Sequence, residues 1–160
     1  MIINPGGLRT QWYPGIIQYQ HFYNMFPFIN YLVSFDITGK ELLSMLEIVQ
    51  AGGLGFYPMY GVAQTVGIDK HGAHRFISAN LMDGSPIDPQ TTYRGLSIDF
   101  LLQGGDDFGN FINKHYTPRN THSHGLIRDL LRKPLENLGV VRANSLIDPK
   151  HPRLTVQIDK

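Results

Sequence analysis

A strand that runs directly into a capped helix constrains the middle of this chain most strongly. Residues 31–37 are rich in aromatic and β-branched side chains and partly alternate in polarity, which predicts a β-strand. Thr38 and Glu41 follow as a capping box, in which each side chain bonds the other residue's backbone amide at a helix start. An apolar stripe at helical spacing comes next, and Gly52-Gly53 predicts the end of the helix. The chain must therefore combine strands with helices.

The rest of the sequence predicts short elements separated by turns. Its 17 glycines and 10 prolines favour many turns over a helical bundle. We expect an α+β domain, a mixed sheet with flanking helices. Its further predicted elements are a loop over 2–15, a short strand and a helical turn over 16–26, paired strands over 60–66 and 75–82, a strand over 91–98, a helix over 126–138 with Pro134 as a kink or boundary, and a strand over 154–158.

Charge and composition exclude several classes of protein. The net charge is only +1, whereas a surface for a nucleic acid polymer usually carries a clear basic excess. Cysteine is absent, so a disulfide scaffold, a thiol nucleophile and a cysteine-ligated zinc site are all excluded. No apolar run approaches the roughly 18 residues that a membrane-spanning helix needs. We therefore expect no nucleic acid partner and no membrane span.

A turn-rich motif near the N-terminus has the sequence Asn-Pro-Gly-Gly-Leu-Arg and runs from Asn4 to Arg9. Glycine allows a backbone to approach a ligand closely, and the planar arginine fork can clamp phosphate or sugar oxygens. An ordinary surface turn with a solvated arginine is the alternative, because short glycine-rich matches have low specificity.

Two aromatic residues stand beside turns in a way that suits a planar ligand. Phe28 follows a proline just before the predicted strand, and it could stack on a ligand or simply belong to the core. Phe100 and Asp106 flank the Gly104-Gly105 turn. A carboxylate held by such a turn can accept both hydroxyls of a ribose, although the same residues could equally form a helix C-cap and a turn.

The histidines give little support for a metal or catalytic site. His71 and His74 form one close pair, and His122 and His124 form another. A metal site needs several convergent ligands, so we expect the second pair to be polar loop residues or the start of a helix. A Gly-x-Ser-x-Gly elbow is absent, which argues against a serine nucleophile. We assign no catalytic and no metal-binding residue to this chain.

The order and spacing of these motifs resemble the C-terminal domain of the 5′-nucleotidase family. This family includes bacterial UDP-sugar hydrolases, ecto-5′-nucleotidases and 2′,3′-cyclic-nucleotide phosphodiesterases. The resemblance runs from Asn4 to about Ile158 and implies a nucleotide-binding site. Its implied members are Phe28 and Phe100 on the two faces of the base, Asp106 on the ribose hydroxyls, Asn4 and Arg9 on the nucleotide, and Asn30 and Gly61 near the base in some family members.

The resemblance also implies what this chain does not supply. In the family, hydrolysis takes place at two divalent metals of the Zn, Mn or Mg type in a separate N-terminal metallophosphatase domain. We therefore expect residues 1–160 to be an N-terminally incomplete substrate-binding domain that lacks its first elements and its catalytic partner domain, and that is inactive alone. Pro5 departs from the family's glycine loop and could weaken the contact on the phosphate side.

The whole protein would then bind a nucleoside monophosphate or related nucleotide and hydrolyse its phosphoester. The alternative is a non-catalytic nucleotidase-like domain that acts as a binding or structural subunit of a larger assembly. Its partner would be the metallophosphatase domain or another protein chain. The resemblance implies a periplasmic, secreted or cell-surface location.

Overall fold

A computed structural model describes residues 1–51, 57, 59–142 and 152–158. Helices and strands alternate irregularly along these ranges, as expected for an α+β domain. In chain order the elements are α1 (Tyr19–Met25), β1 (Tyr31–Thr38), α2 (Gly39–Ala51), β2 (Val62–Ile68), β3 (His74–Leu81), β4 (Thr92–Ile98), α3 (Asp99–Leu102), α4 (Asp106–His115), β5 (Arg119–Leu126), α5 (Ile127–Leu138) and β6 (Leu154–Ile158).

The strands form two three-stranded sheets rather than the single mixed sheet that the sequence predicts. The first sheet has the order β4-β1-β5 and is antiparallel throughout. The second has the order β3-β2-β6, with β3 antiparallel and β6 parallel to β2. Ile2 bonds to the edge strand of the first sheet, because its amide donates to the carbonyl of Leu96 at 2.9 Å, and it forms an isolated antiparallel bridge with Met59, three residues ahead of β2. The N-terminal segment thus occupies the outer edge of β4.

Helix α2 begins as the sequence predicts. The Thr38 amide donates to Glu41 Oε2 at 2.8 Å, and the Glu41 amide donates to Thr38 Oγ1 at 3.3 Å, so both halves of the capping box are present. In the predicted apolar stripe, Leu46 and Val49 are at most 1% exposed, and Leu42 and Leu43 are partly buried against the same core. They pack in a core that also includes residues from α3 and α4. The predicted stop at Gly52-Gly53 lies outside the described residues.

Several predictions about secondary structure were wrong. Residues 16–18 form no strand and lead into α1, whose capping box is closed by Gln18 and His21. His122 and His124 lie in β5, not in a loop or at the start of a helix. Helix α5 agrees with its predicted bounds to within one residue and continues through Pro134, so Pro134 is not its boundary and the alternative of a kink there stays a prediction. A single proline can be tolerated inside a helix whose other contacts hold it in place.

Helix α1 is held against α5 by cations lying over aromatic rings. The guanidinium carbon of Arg128 lies 4.6 Å from the ring centre of Tyr23, and that of Arg132 lies 5.9 Å from the ring centre of Tyr19. Arg128 also donates to the carbonyl of Phe26 at 3.1 Å. These contacts fix the turn after α1, which leads directly to the aromatic residue ahead of β1.

None of the helices described is both long and apolar enough to cross a bilayer.

Candidate functional site

The two aromatic residues singled out by the sequence lie at one edge of the first sheet. Phe28 stands three residues before β1, and Phe100 stands two residues after β4. The two strands are antiparallel, with Leu32 opposite Ile98, so the start of β1 and the end of β4 meet at the same edge. Phe28 is 46% exposed and Phe100 is 44% exposed. Neither belongs to the core, and each ring presents surface that a planar ligand could cover.

Asn4 and Asp106 are brought together at this edge by the N-terminal segment. That segment is bound to β4 through Ile2, whose carbonyl accepts from Ser97 Oγ at 3.1 Å. Asn4 is buried, and its Nδ2 donates to Asp106 Oδ2 at 3.3 Å. Its Oδ1 is buried and has no hydrogen-bond partner among the residues that the structure describes. An unpaired buried acceptor is costly, and because this oxygen is enclosed by the protein, it is the Nδ2 side of Asn4 that contributes to the site.

The carboxylate of Asp106 is oriented from both sides. Its Oδ1 accepts from the Asp107 amide at 2.9 Å, and its Oδ2 accepts from Asn4. Its backbone has φ of 66°, a left-handed conformation that is uncommon for a residue other than glycine. Asp106 is exposed and begins α4, so its remaining lone pairs can accept hydrogen bonds from a ligand.

The negative charge of Asp106 also reaches the buried ring beneath it. Burial raises the pKa of the Tyr57 hydroxyl, and the charge of Asp106 raises that pKa further. The Tyr57 ring packs against Phe108 of α4, with ring centres 4.8 Å apart. The Tyr57 hydroxyl therefore stays neutral. Its ring supports the first turn of α4 without placing a second negative charge near Asp106.

Arg9 lies beside the aromatic residue ahead of β1. Its amide donates to the carbonyl of Met25 at 3.1 Å, and its guanidinium carbon lies 5.8 Å from the ring centre of Phe28. One guanidinium nitrogen reaches the carbonyl of Gly6 at 3.4 Å. Arg9 is exposed, so its planar fork is available to an anion such as a phosphate.

Pro5 fits the turn that carries Asn4 and Arg9. It occupies the first position of a short 3₁₀ turn, Pro5–Gly7, that is closed by the Gly7 amide donating to the Asn4 carbonyl at 3.1 Å. A residue at this position needs no amide donor of its own, and the proline ring already has the required φ. The substitution is therefore accommodated locally, whatever its effect on a ligand.

Asn30 and Gly61 are placed differently from the other predicted residues. Asn30 lies on the turn between Phe28 and β1, and its carbonyl accepts from the Ile127 amide at 3.0 Å. Gly61 has φ of 102° and lines an apolar cavity of about 190 Å³ near Met1. The contacts described above join Asn4 to Asp106 and Arg9 to Phe28, and they do not include Gly61.

Two further residues at this edge were missed by the sequence analysis. Asp99 Oδ1 accepts from the amides of Tyr31 and Phe100, at 3.0 and 2.9 Å. Gly105 lies flat against the ring of Phe100, and a Cβ atom at this position would overlap that ring. An aspartate at the junction of a predicted strand and a turn could have drawn attention to Asp99, because aspartate commonly satisfies amides where helices begin.

The histidines and acidic residues form no metal centre in the part of the chain described here. No group of three or more His, Cys, Asp or Glu side chains in those ranges could hold a metal ion. An Asp-x-His sequence, a spacing that can supply metal ligands, occurs at Asp69–His71. There, however, Asp69 Oδ1 accepts from the amides of His71 and Ala73, at 2.8 and 2.9 Å, and so closes the turn between β2 and β3.

Comparison with known proteins identifies the family of this chain. The profile described as "5′-nucleotidase, C-terminal domain" matches residues 1–113. An apyrase of Tabanus yao is 31% identical over 121 residues, covering 67% of this chain and 22% of the apyrase. Protein UshA of Escherichia coli K12 is 30% identical over 115 residues, covering 71% of this chain and 20% of UshA. The chain thus spans about a fifth of the length of these relatives.

The fold gives the same result. The crystal structure of a 5′-nucleotidase precursor from Thermus thermophilus superposes with a TM-score of 0.75 at 27% sequence identity, covering 97% of this chain and 31% of that protein. The structure of the Haemophilus influenzae NAD nucleotidase has the same fold, with a TM-score of 0.73 at 18% identity, covering 99% of this chain and 30% of that protein. The predicted resemblance and fold class are confirmed: this chain belongs to the 5′-nucleotidase C-terminal domain family.

Proposed function

We propose that this chain is the nucleotide-binding part of a 5′-nucleotidase-type phosphohydrolase. The observation that supports the proposal best is the combination of two half-exposed phenylalanines and an oriented carboxylate at one sheet edge. Phe28 and Phe100 would take the two faces of a nucleobase, and Asp106 would accept the ribose hydroxyls. Stacking contributes about 1–3 kcal/mol per base and tolerates different bases, so such a site would accept several nucleotides.

The polar residues around the two phenylalanines would orient the rest of the nucleotide. Asn4 would act by holding the Asp106 carboxylate in place for the ribose. Arg9 would face the phosphate, since its guanidinium is exposed and lies beside Phe28. Its displacement from the ring by an incoming phosphate would exchange a cation–π contact for a charge-assisted hydrogen bond. Asn30, two residues after Phe28, and Gly61 would lie near the base.

Phosphoester hydrolysis would need a catalytic unit that contributes two divalent metals of the Zn, Mn or Mg type. Such metals activate water and neutralise charge on the phosphoryl group. The donor sets among the described residues do not suit this role, so we assign no hydrolytic step to them. In our proposal this chain binds and orients the substrate, and an N-terminal metallophosphatase domain or another chain carries out the reaction.

Exposed apolar side chains in the segment between Arg9 and β1 support a protein partner of this kind. Tyr13, Ile16 and Ile29 are 77, 88 and 72% exposed, and all three belong to the segment that leads from Arg9 to β1. A group of large apolar side chains on a surface commonly marks a protein contact. We propose that the catalytic unit docks on this segment. The periplasmic, secreted or cell-surface location stays a prediction.

A direct test is to titrate the chain with AMP and follow heat and base absorbance. We expect binding, with the loss of ultraviolet absorbance that accompanies stacking, and no phosphate release with added Zn²⁺, Mn²⁺ or Mg²⁺. A chain that binds no nucleoside monophosphate would contradict the binding role. Phosphate release that depends on this chain alone would contradict the division of labour between two units.

A further inference from the structure

We propose that Asp99 is the positioning residue that sets the separation of the two aromatic walls, Phe28 and Phe100. This inference rests on the proposed nucleotide-binding function and adds a residue to it. Asp99 need not touch a nucleotide. Its role would be to hold the two backbone segments that carry the rings at the spacing that one planar base requires.

The geometry that carries the inference is a single oxygen shared by two segments. Asp99 Oδ1 accepts from the Tyr31 amide at 3.0 Å and from the Phe100 amide at 2.9 Å. Tyr31 begins β1 three residues after Phe28, and Phe100 belongs to α3. One carboxylate therefore joins the segments of both walls, although Tyr31 and Asp99 stand 68 positions apart in sequence.

The end of the β1–β4 ladder explains why a side chain is needed here. Leu32 pairs with Ile98, so Tyr31 and Asp99 would be the next residues to pair. The backbone turns into α3 at Asp99, and the ladder ends. The Tyr31 amide then needs another acceptor, and the Asp99 carboxylate supplies it. The side chain thus extends the strand pairing by one step beyond the backbone.

Each wall also has a support of its own, which Asp99 links to the other. On the Phe28 side, the Asn30 carbonyl accepts from Ile127 of α5 at 3.0 Å. On the Phe100 side, the Gly105 amide donates to the Phe100 carbonyl at 2.8 Å and the ring lies on Gly105. These supports fix each wall to its own neighbours. The Tyr31–Asp99 bond adds a link between the two walls beyond the last backbone pair of the β1–β4 ladder, Leu32 with Ile98, and so sets how one wall lies relative to the other.

The test compares substitutions that keep or remove the shared oxygen. Asp99→Asn keeps an acceptor at Oδ1, Asp99→Ala removes it, and Asp99→Glu keeps the charge while displacing the oxygen. Asp83→Ala is the matched control, because Asp83 likewise accepts from two groups of one turn, the amide and hydroxyl of Ser85, outside the site. Each purified chain is titrated with AMP and with ribose 5-phosphate, which lacks the base, and its thermal unfolding is recorded.

We expect Asp99→Ala and Asp99→Glu to weaken AMP binding about tenfold and to reduce the change in base absorbance. Ribose 5-phosphate affinity should stay at the wild-type value, and Asp99→Asn should restore AMP affinity to within about threefold. Asp99→Glu keeps the test valid if the alanine variant does not fold. Equal losses for AMP and ribose 5-phosphate, or wild-type AMP affinity in both weakening variants, would overturn the inference alone. Failure of the wild-type chain to bind AMP would overturn the proposed function and this inference with it.

Discussion

Asn4 Nδ2 donates to Asp106 Oδ2 at 3.3 Å, although the two residues stand 102 positions apart in sequence. The contact joins the glycine-rich N-terminal turn to the first turn of α4. It also leaves Asn4 Oδ1 buried beside the carboxylate and without a partner among the described residues. The bond orients the exposed Asp106 carboxylate, whose remaining lone pairs can accept hydrogen bonds from the hydroxyls of a ribose.

Asn4→Ala should reduce selectivity for the ribose hydroxyls. Without the amide donor, Asp106 loses one of its two orienting bonds, and we expect about 1–2 kcal/mol less binding free energy for AMP. Binding of 2′,3′-dideoxy-AMP should change little, so the ratio of the two affinities should fall toward one. Isothermal titration calorimetry measures both. Asn137→Ala, on the exposed surface of α5, is the control and should keep the wild-type ratio. An unchanged ratio in Asn4→Ala would rule out this role for Asn4.

Phe100→Ala should weaken the binding of any nucleotide, whatever its base. The lost stacking corresponds to about 1–3 kcal/mol, and Phe100→Tyr should retain most of it. The dissociation constants for AMP, GMP and UMP, measured for both variants, check this expectation. Tyr13→Ala removes another exposed aromatic ring and serves as the control. Wild-type affinity in Phe100→Ala would reject the assignment of this ring to the base.

Gly105→Ala should act through the Phe100 ring. The added methyl group would overlap that ring, so the ring must move away from its present position. We expect AMP affinity to fall by roughly the same factor as in Phe100→Ala, about 5- to 150-fold. The double variant with Phe100→Ala and Gly105→Ala should then bind AMP no more weakly than either single variant, since both substitutions act on one contact. Fully additive losses in this cycle would show that Gly105 affects binding by another route.

Acid should destabilise the chain through the carboxylates at the start of α2 and on β1. Burial opposes ionisation of Glu41, but its hydrogen bonds to Arg119 and Thr38 lower its pKa below the ordinary 4.5. Hydrogen bonds from Asn120 and Arg94 lower the pKa of Asp36 as well. As the pH falls, the unfolded chain therefore binds more protons than the folded chain does. The stability that these carboxylates contribute is fully present above about pH 4.5. It is lost as the pH falls through their lower folded-state pKa values.

Arg119→Gln isolates one part of this acid dependence. The Arg119–Glu41 pair has an N–O distance of 2.6 Å but is partly exposed, so solvent screens it. We expect the melting temperature of Arg119→Gln to be roughly 1–3 °C below that of the wild type at pH 7. Between pH 5 and pH 3, its melting temperature should fall less than that of the wild type. Circular dichroism melts at several pH values measure both quantities. Lys133→Gln removes an exposed cation on α5 and should follow the wild-type curve. An Arg119→Gln curve parallel to the wild type would refute the linkage.

Local signals account for the elements that sequence analysis predicted. The capping box of Thr38 and Glu41 acts within one turn, and the apolar stripe after it specifies which face of α2 is buried. Strand β1 and the hairpin of β2 and β3 follow from β-branched and aromatic content and from the turns around them. Such preferences operate over a few neighbouring residues, so they can be recognised without knowledge of the fold.

Strand β5 could not be recognised in this way. Its residues are mostly polar and exposed, and nothing in their pattern distinguishes them from a loop. They form a strand because β1 presents free backbone groups, and Ser34 faces His122 in the resulting ladder. Ser34 Oγ and His124 Nε2 lie 2.9 Å apart across the same pair of strands. Pairing with a buried neighbour thus overrides weak local preference.

The family motifs, the capped helix and the aromatic and acidic residues of the proposed site can all be recognised in the amino-acid sequence. Which of these residues meet depends on the fold. It joined Asn4 to Asp106, placed Phe28 and Phe100 at one sheet edge, and added Asp99 between their segments. The physical reason is that side-chain identity is local, whereas these contacts span 68 to 102 positions and depend on strand register and on the course of the N-terminal segment along β4.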